Sequence, residues 1–153
     1  MNPLYELALP GLFTEAQHLS DSLLNRLVSS LRRSKFFEEP LLAKLSQIGL
    51  QRTIVELSDE RDEKPKMGSS LTLRTFLNIV HTHAVFNYHD KQFKDYLMEV
   101  LKIIMMREQE LIPANSMTKL VWSLCVLFER EQLRPVYPLI DRYLTRAERV
   151  PLA

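Results

Sequence analysis

The histidines between residues 81 and 89 are the first candidates for chemistry, because imidazole serves both as a metal ligand and as a general base. His81 and His83 are two positions apart, so on a helix their side chains point roughly 200° away from each other. Zinc ligands on a helix are spaced by three or four residues, and the single cysteine, Cys125, leaves no cysteine pair to complete a site. We therefore expect no bound metal.

Hydrolytic and nucleotide-binding chemistry is not indicated by any other motif. Asp62, Glu63 and Lys64 match the D-x-K fragment of some nucleases, but they lie in a charged run beside Pro65 with no strand to hold them. The chain has no G-x-S-x-G, Walker or Rossmann glycine pattern. We expect no catalytic residue, no cofactor and no small-molecule substrate, and hence a protein that acts by binding.

Composition and charge limit the kind of partner. The 153 residues, 46% of them hydrophobic, are enough for one compact domain with a sizeable core. A formal net charge of +1 excludes a strongly basic nucleic-acid binder, so any anion-binding surface must come from local placement of charge. Cys125 lies in an apolar run and is predicted to be a core residue. No apolar run approaches the ~20 residues of a membrane span, and no clear transit peptide precedes residue 20.

Apolar residues recur at helical spacing in six segments, and three glycines are too few for a turn-rich β fold. Ser20 is predicted to cap the first helix, Pro40 to begin the second and Gly49 to stop it. Residues 51–57 fit either a further helical turn or a short strand. The predicted starts of the other four helices are Ser70 or Thr72, Asp90, Asn115 or Ser116, and Pro135.

An internal repeat relates these segments in pairs. A shift of 44 residues aligns the apolar stripe of the third helix with that of the fifth, and a shift of 43 aligns the fourth with the sixth. Shifts of 53 and 52 align the first pair with the second. This pattern predicts an all-α fold of three stacked helical hairpins, a short α-solenoid with repeats of about 43 residues. A non-repetitive six-helix bundle is the alternative. The predicted boundaries are an irregular arm at 1–19, the first hairpin at 20–57, a charged linker at 58–70, two further hairpins at 71–147 and a tail at 148–153.

The fifth helix carries a resemblance to a known family. Its sequence LVWSLCVL, residues 120–127, resembles the LLWALAKL-type helix of the FAST kinase-like family and its octotricopeptide and heptatricopeptide relatives. Residues 122–127 resemble the second FAST-type subdomain, and residues 76–80 resemble the same helix in an earlier repeat. The resemblance covers residues 70–147 and, more weakly, 20–50. Members often end in a RAP domain, for which this chain has no room, and that departure favours a minimal binding unit over a nuclease-like role.

The resemblance implies a non-catalytic RNA-binding protein of organelles, chiefly mitochondria. It would bind ribosomal RNA or transcripts as part of a mitochondrial ribosome or RNA-processing assembly, next to neighbouring proteins. A structural or adaptor subunit making only protein contacts is the second hypothesis, and near-neutral charge favours it because RNA affinity comes largely from phosphate neutralisation. A continuous basic stripe would favour RNA, whereas exposure of Met98, Met105 and Met106 would favour a protein partner.

In RNA-binding solenoids, polar side chains on the first helix of each hairpin contact bases, and basic groups hold phosphates. Arg33, Arg74 and Lys119 are our predicted phosphate ligands, and solvated helix faces are the alternative explanation of these polar positions. Trp122 is predicted to pack between helices rather than to stack on a base. The full set of predicted RNA-contacting residues is Arg32, Arg33, Lys35, Arg74, Asn78, His81, Lys119 and Ser123.

Overall fold

A computed structural model describes residues 16–58, 71–107 and 112–149 of the chain. All regular structure in these ranges is helical, which confirms the all-α prediction. The six long helices pack against one another around a single hydrophobic cluster. They are α1 (Asp21–Arg33), α2 (Glu39–Ser58), α3 (Leu71–Val85), α4 (Lys91–Met106), α5 (Ala114–Leu127) and α6 (Tyr137–Arg149).

Two predicted helix starts are confirmed by side-chain caps. The hydroxyl oxygen of Ser20 accepts a hydrogen bond from the backbone N–H of Leu23 at 3.2 Å, at the N-terminus of α1. The carboxylate of Asp90 accepts one from the N–H of Gln92 at 3.3 Å, at the N-terminus of α4. Each cap satisfies a donor that has no partner within its helix, which is why these residue types mark helix starts in a sequence.

Helix α2 begins at Glu39, next to the predicted Pro40, and the other three helix starts differ from the predictions. In α3, Thr72 lies inside the first turn and does not cap it, and Ser70 is outside the described residues. In α5, Pro113 occupies the N-cap position, so Asn115 and Ser116 are already helical. The sixth helix begins at Tyr137 rather than Pro135. A helical turn at Arg130–Leu133 and a 3-10 turn at Arg134–Val136 precede it.

The prediction that Gly49 stops the second helix is wrong, because α2 continues to Ser58. Residues 51–57 are therefore helical, which settles the ambiguity left by the sequence. Gly49 is buried beneath α3, and a Cβ atom at this position would overlap Cδ1 of Ile79. The glycine thus permits two helices to approach closely, instead of ending one of them.

The helices contact one another in a regular order. Helix α1 packs on α3, and α3 packs on α5. Among the second helices, α2 packs on α4, and α4 packs on the 3-10 turn that precedes α6. The central helix α3 also packs on α2, and its Phe76 is completely buried. This order brings one face each of α1, α3 and α5 next to one another.

The ends of the predicted segments are only partly described. Residues 1–15 of the predicted arm, 59–70 of the linker and 150–153 of the tail lie outside the described residues. The last part of the arm forms a 3-10 turn at Ala16–His18 that packs on α2, with Ala16 buried. Residues 148 and 149, predicted to be tail, belong to α6. Within the described ranges, every helix is either too short or too polar to span a bilayer.

Candidate nucleic-acid interface

Charge is distributed unevenly between the two sets of helices. Helices α1, α3 and α5 contain five basic residues and one acidic residue, Asp21. Helices α2, α4 and α6 contain eight basic and six acidic residues. The carboxylate of Asp21 is engaged by Arg52 of α2 at 2.9 Å and by the hydroxyl of Thr72 at 3.0 Å. The near-neutral chain therefore has a locally cationic set of helices, whose basic members are Arg26, Arg32, Arg33, Arg74 and Lys119.

A cleft of about 180 Å³ lies where α1, α3 and α5 meet. It brings together five of the eight predicted residues, and the described residues that line it include no carboxylate. Arg74 and Lys119 are exposed, and the described residues place no acidic partner within ion-pair distance of either side chain. We call this site the cationic cleft. Its lining is Arg32, Arg74, Leu77, Asn78, His81, Ser116, Lys119 and Leu120.

A polar seam between α1 and α3 holds Arg32 at the edge of the cleft. The amide nitrogen of Asn78 donates to the carbonyl oxygen of Asn25 at 3.1 Å, to its Oδ1 at 2.9 Å and to Oγ of Ser29 at 2.8 Å. The guanidinium of Arg32 donates to Oδ1 of Asn78, and to Oγ1 of Thr82 at 2.9 Å. The amide of Asn78, predicted to contact RNA, is thus occupied by the helix interface and positions Arg32.

The cations in the cleft affect one another's ionisation. Burial lowers the pKa of Arg32, and the neighbouring charge of Arg33 lowers it further. Burial also lowers the pKa of His81, with additional contributions from the charges of Arg32 and Lys119. Positive groups lower one another's pKa where no carboxylate compensates them. The cleft is therefore a region of positive potential, which favours the neutral form of His81.

Trp122 stands beside His81 at the α3–α5 contact. The two ring centroids are 5.7 Å apart, with the ring planes tilted by 57°. The indole packs on the imidazole, as predicted, but 49% of the Trp122 side chain remains exposed to solvent. In the described part of the chain, Nδ1 of His81 is buried and has no hydrogen-bond partner. An exposed aromatic surface thus adjoins a set of cations.

Three predicted residues lie outside the cleft. Arg33 and Lys35 are exposed at the C-terminal end of α1, where Lys35 has a φ of 56° and ends the helix. Ser123 is completely buried, and its hydroxyl donates to the carbonyl oxygen of Lys119 at 2.8 Å. The prediction that Ser123 contacts RNA is therefore not supported, because its hydroxyl cannot reach a ligand on the surface.

Two residues of the site region, Cys125 and Thr82, differ from the predictions. Cys125 is exposed, so its assignment to the core was wrong. It lies three positions after Trp122 and six after Lys119, on the outer stripe of α5, and this spacing was the available signal. Thr82, which anchors Arg32, is buried and was not predicted, because a threonine on a helix carries no distinctive pattern.

His83 belongs to the core rather than to a site. Its ring stacks on Phe93 with centroids 3.6 Å apart, and its Nε2 lies 2.6 Å from Oγ of Ser46. Burial lowers the pKa of His83 to about 3, and the interaction of its ring with the backbone of Tyr88 as acceptor offsets only part of this effect. The described residues contain no group of three or more histidine, cysteine, aspartate or glutamate side chains that could hold a metal ion.

The chain was also compared with proteins that are already known. No protein-family model, no curated protein and no solved structure matches it.

Proposed function

We propose that this protein binds RNA, without catalysis, through the faces of α1, α3 and α5 that surround the cationic cleft. The observation that carries the proposal is the convergence of Arg32, Arg74 and Lys119 on a cleft where residues 16–58, 71–107 and 112–149 supply no lining carboxylate. RNA affinity comes largely from cations that replace the counterions of phosphates, so local charge counts for more than net charge. A chain of charge +1 can therefore bind RNA through this face.

The proposal extends to the architecture. We infer that the six helices form three stacked hairpins of a short α-solenoid, with α1, α3 and α5 in equivalent positions. Contacts between α1 and α3 support this, because they occur in the same order along both helices: Asp21 with Thr72, and Arg32 with Thr82. The two helices are therefore parallel, as stacking of successive hairpins requires. Such stacking presents one extended surface to a ligand.

The setting that we propose is a mitochondrial ribonucleoprotein, either a ribosome or an RNA-processing assembly. This part of the proposal depends on the resemblance of residues 120–127 to the FAST kinase-like helix. The helix contains Trp122, which is exposed, and it follows Lys119 of the cationic cleft. Fractionation of cells that express the tagged protein, together with sedimentation of its complexes, tests this setting.

Binding of a fluorescently labelled, unstructured RNA of about 20 nucleotides tests the function directly. The test variant combines Arg33→Glu, Arg74→Glu and Lys119→Glu, three exposed residues of α1, α3 and α5. The control variant combines Lys91→Glu, Lys102→Glu and Arg130→Glu, which are equally exposed but lie outside these helices. Both variants change the net charge by the same amount, so nonspecific electrostatic effects cancel in the comparison.

We expect the test variant, which carries the three changes on α1, α3 and α5, to bind at least roughly tenfold more weakly than the control variant at moderate salt. Equal loss in both variants would show that only net charge matters, which contradicts a localised site. Undetectable binding of the unaltered protein at low salt would overturn the proposal. Far-UV circular dichroism of each variant checks that the helices are retained.

An adaptor subunit is the second candidate, and exposed apolar side chains favour it. Val55 is 71% exposed and Met106 is 84% exposed. They lie near the C-terminal ends of α2 and α4, which Arg107 joins by donating to the carbonyl oxygen of Leu57. Crosslinking in native extract separates the candidates. RNA crosslinks that the test variant of Arg33, Arg74 and Lys119 loses support RNA binding, whereas protein crosslinks alone support the adaptor.

A further inference from the structure

The cationic cleft and the exposed face of Trp122 form two different surfaces side by side. The cleft offers charge in a volume of about 180 Å³, which suits a phosphate group and is far too small for a duplex. Trp122, one turn along α5 from Lys119, is 49% exposed to solvent. Packing against His81 holds the ring from one side, so its orientation is limited before any ligand arrives.

We propose that Trp122 is a stacking platform for one unpaired nucleobase, whose adjacent phosphate lies in the cationic cleft. This inference depends on the RNA-binding function proposed above and adds the class of ligand, a single-stranded nucleotide segment. Aromatic side chains next to cations are the usual means of holding unpaired bases, because every base has a π-face while its phosphate needs a positive group. In a duplex, the base faces are covered by neighbouring base pairs and could not reach the indole.

The local charges are consistent with this arrangement. Lys119 and Arg74 face the cleft from α5 and α3, and Arg32 faces it from α1. His81, which contacts the indole, shares the cleft with these three cations. A phosphate placed among them would have no acidic side chain of the cleft lining to repel it. The base attached to that phosphate would then lie within reach of Trp122.

Trp122 is the only tryptophan of the chain, so its fluorescence reports on this site alone. The experiment titrates the full-length protein with three probes of equal length: an unstructured RNA, the same RNA with all bases removed, and inorganic polyphosphate. We expect the base-containing RNA to quench Trp122 and to bind roughly 5- to 150-fold more tightly than the abasic RNA. Polyphosphate is expected to bind weakly and without the stacking quench.

Two variants of Trp122 separate stacking from a merely structural role. Trp122→Leu is expected to lose the preference for base-containing over abasic RNA, whereas Trp122→Phe retains part of it. Phe37→Leu is the matched control, because Phe37 is 45% exposed and does not line the cleft. Labelled RNA measures binding to the variants that lack tryptophan.

The outcomes distinguish this inference from the function on which it depends. If abasic and base-containing RNA bind equally, or if Trp122→Leu keeps the preference, the stacking platform is wrong and RNA binding stands. If no RNA binds the unaltered protein, both proposals fail. If Trp122→Leu abolishes crosslinks to a protein and leaves RNA binding intact, Trp122 belongs to a protein interface and the inference is overturned.

Discussion

Asn25 and Asn78 are hydrogen-bonded to each other across the α1–α3 interface, with Nδ2 of Asn78 at 2.9 Å from Oδ1 of Asn25. The two residues are 53 positions apart, the same interval that aligns the apolar stripes of the two helices in the sequence. A buried or half-buried polar pair favours one register over others, because any slip leaves its groups unsatisfied. We infer that this pair sets how α1 lies against α3, and so where Arg32 meets the cleft.

Replacement of Asn78 by leucine is expected to destabilise the fold. The change leaves the Oδ1 of Asn25 without its donor and Arg32 without one acceptor, at a cost of about 1–3 kcal/mol in the free energy of unfolding. Urea denaturation followed by circular dichroism measures it. The exposed Arg33→Ala serves as the control, expected within about 0.5 kcal/mol of the unaltered protein. Equal stability of N78L and the unaltered protein would contradict an interface role for Asn78.

Replacement of Gly49 by alanine is also expected to destabilise the protein, although alanine is the better helix former by about 1 kcal/mol. The added methyl group would overlap Cδ1 of Ile79, which is completely buried and has little space to move. We expect a loss of about 1–2 kcal/mol.

The double variant Gly49→Ala with Ile79→Val tests the cause of this loss, because valine lacks the Cδ1 atom. The double variant is expected to lose less stability than the sum of the two single variants. If the losses of the two single variants simply add, overlap between residue 49 and Cδ1 of Ile79 is not the cause of the lost stability.

His83 predicts a dependence of stability on pH. Its pKa in the folded state is about 3, below the ordinary value of 6.5. Between pH 3 and pH 6.5, the unfolded chain therefore binds more protons at this position than the folded chain does. The contribution of neutral His83 is therefore complete above pH 6.5 and is lost as the pH falls towards 3. The steepest slope expected is about 1.4 kcal/mol per pH unit.

Unfolding in urea at several pH values between 7.5 and 4.5 measures this slope. His83→Phe is expected to reduce the slope, because phenylalanine has no proton to bind and can keep the stacking on Phe93. His89→Gln, at an exposed position, is the control and is expected to keep the slope of the unaltered protein. An unchanged slope in H83F would rule out His83 as its source.

RNA affinity is expected to rise modestly as the pH falls from 7.5 to 5.5. Burial and the charges of Arg32 and Lys119 lower the pKa of His81 in the free protein. A bound phosphate would offset those charges and raise this pKa, so binding would take up a proton. We therefore expect the affinity to increase as the pH falls. His81→Gln should bind with an affinity that is independent of pH over this range, and a retained dependence would assign the effect to another group.

The elements of this fold are largely determined by the sequence itself, because the signals are local. Apolar residues at helical spacing indicate six helices, and the side chains of Ser20 and Asp90 cap the first and fourth of them. These features depend on residues within one or two turns, so they can be identified without knowledge of what packs across them. The candidate cations Arg74 and Lys119 were also found from their positions outside the apolar stripes.

Tertiary structure determined which local sequence signals correspond to helix ends, buried residues and exposed residues. Gly49 does not stop α2, because Ile79 of another helix lies against it. Ser123 is buried and Cys125 exposed, because the direction from which α3 meets α5 determines which stripe of α5 is covered. The cationic cleft itself exists only where three helices distant in sequence converge. Burial and electrostatic field depend on neighbours in space, and a pattern along one chain does not specify those neighbours.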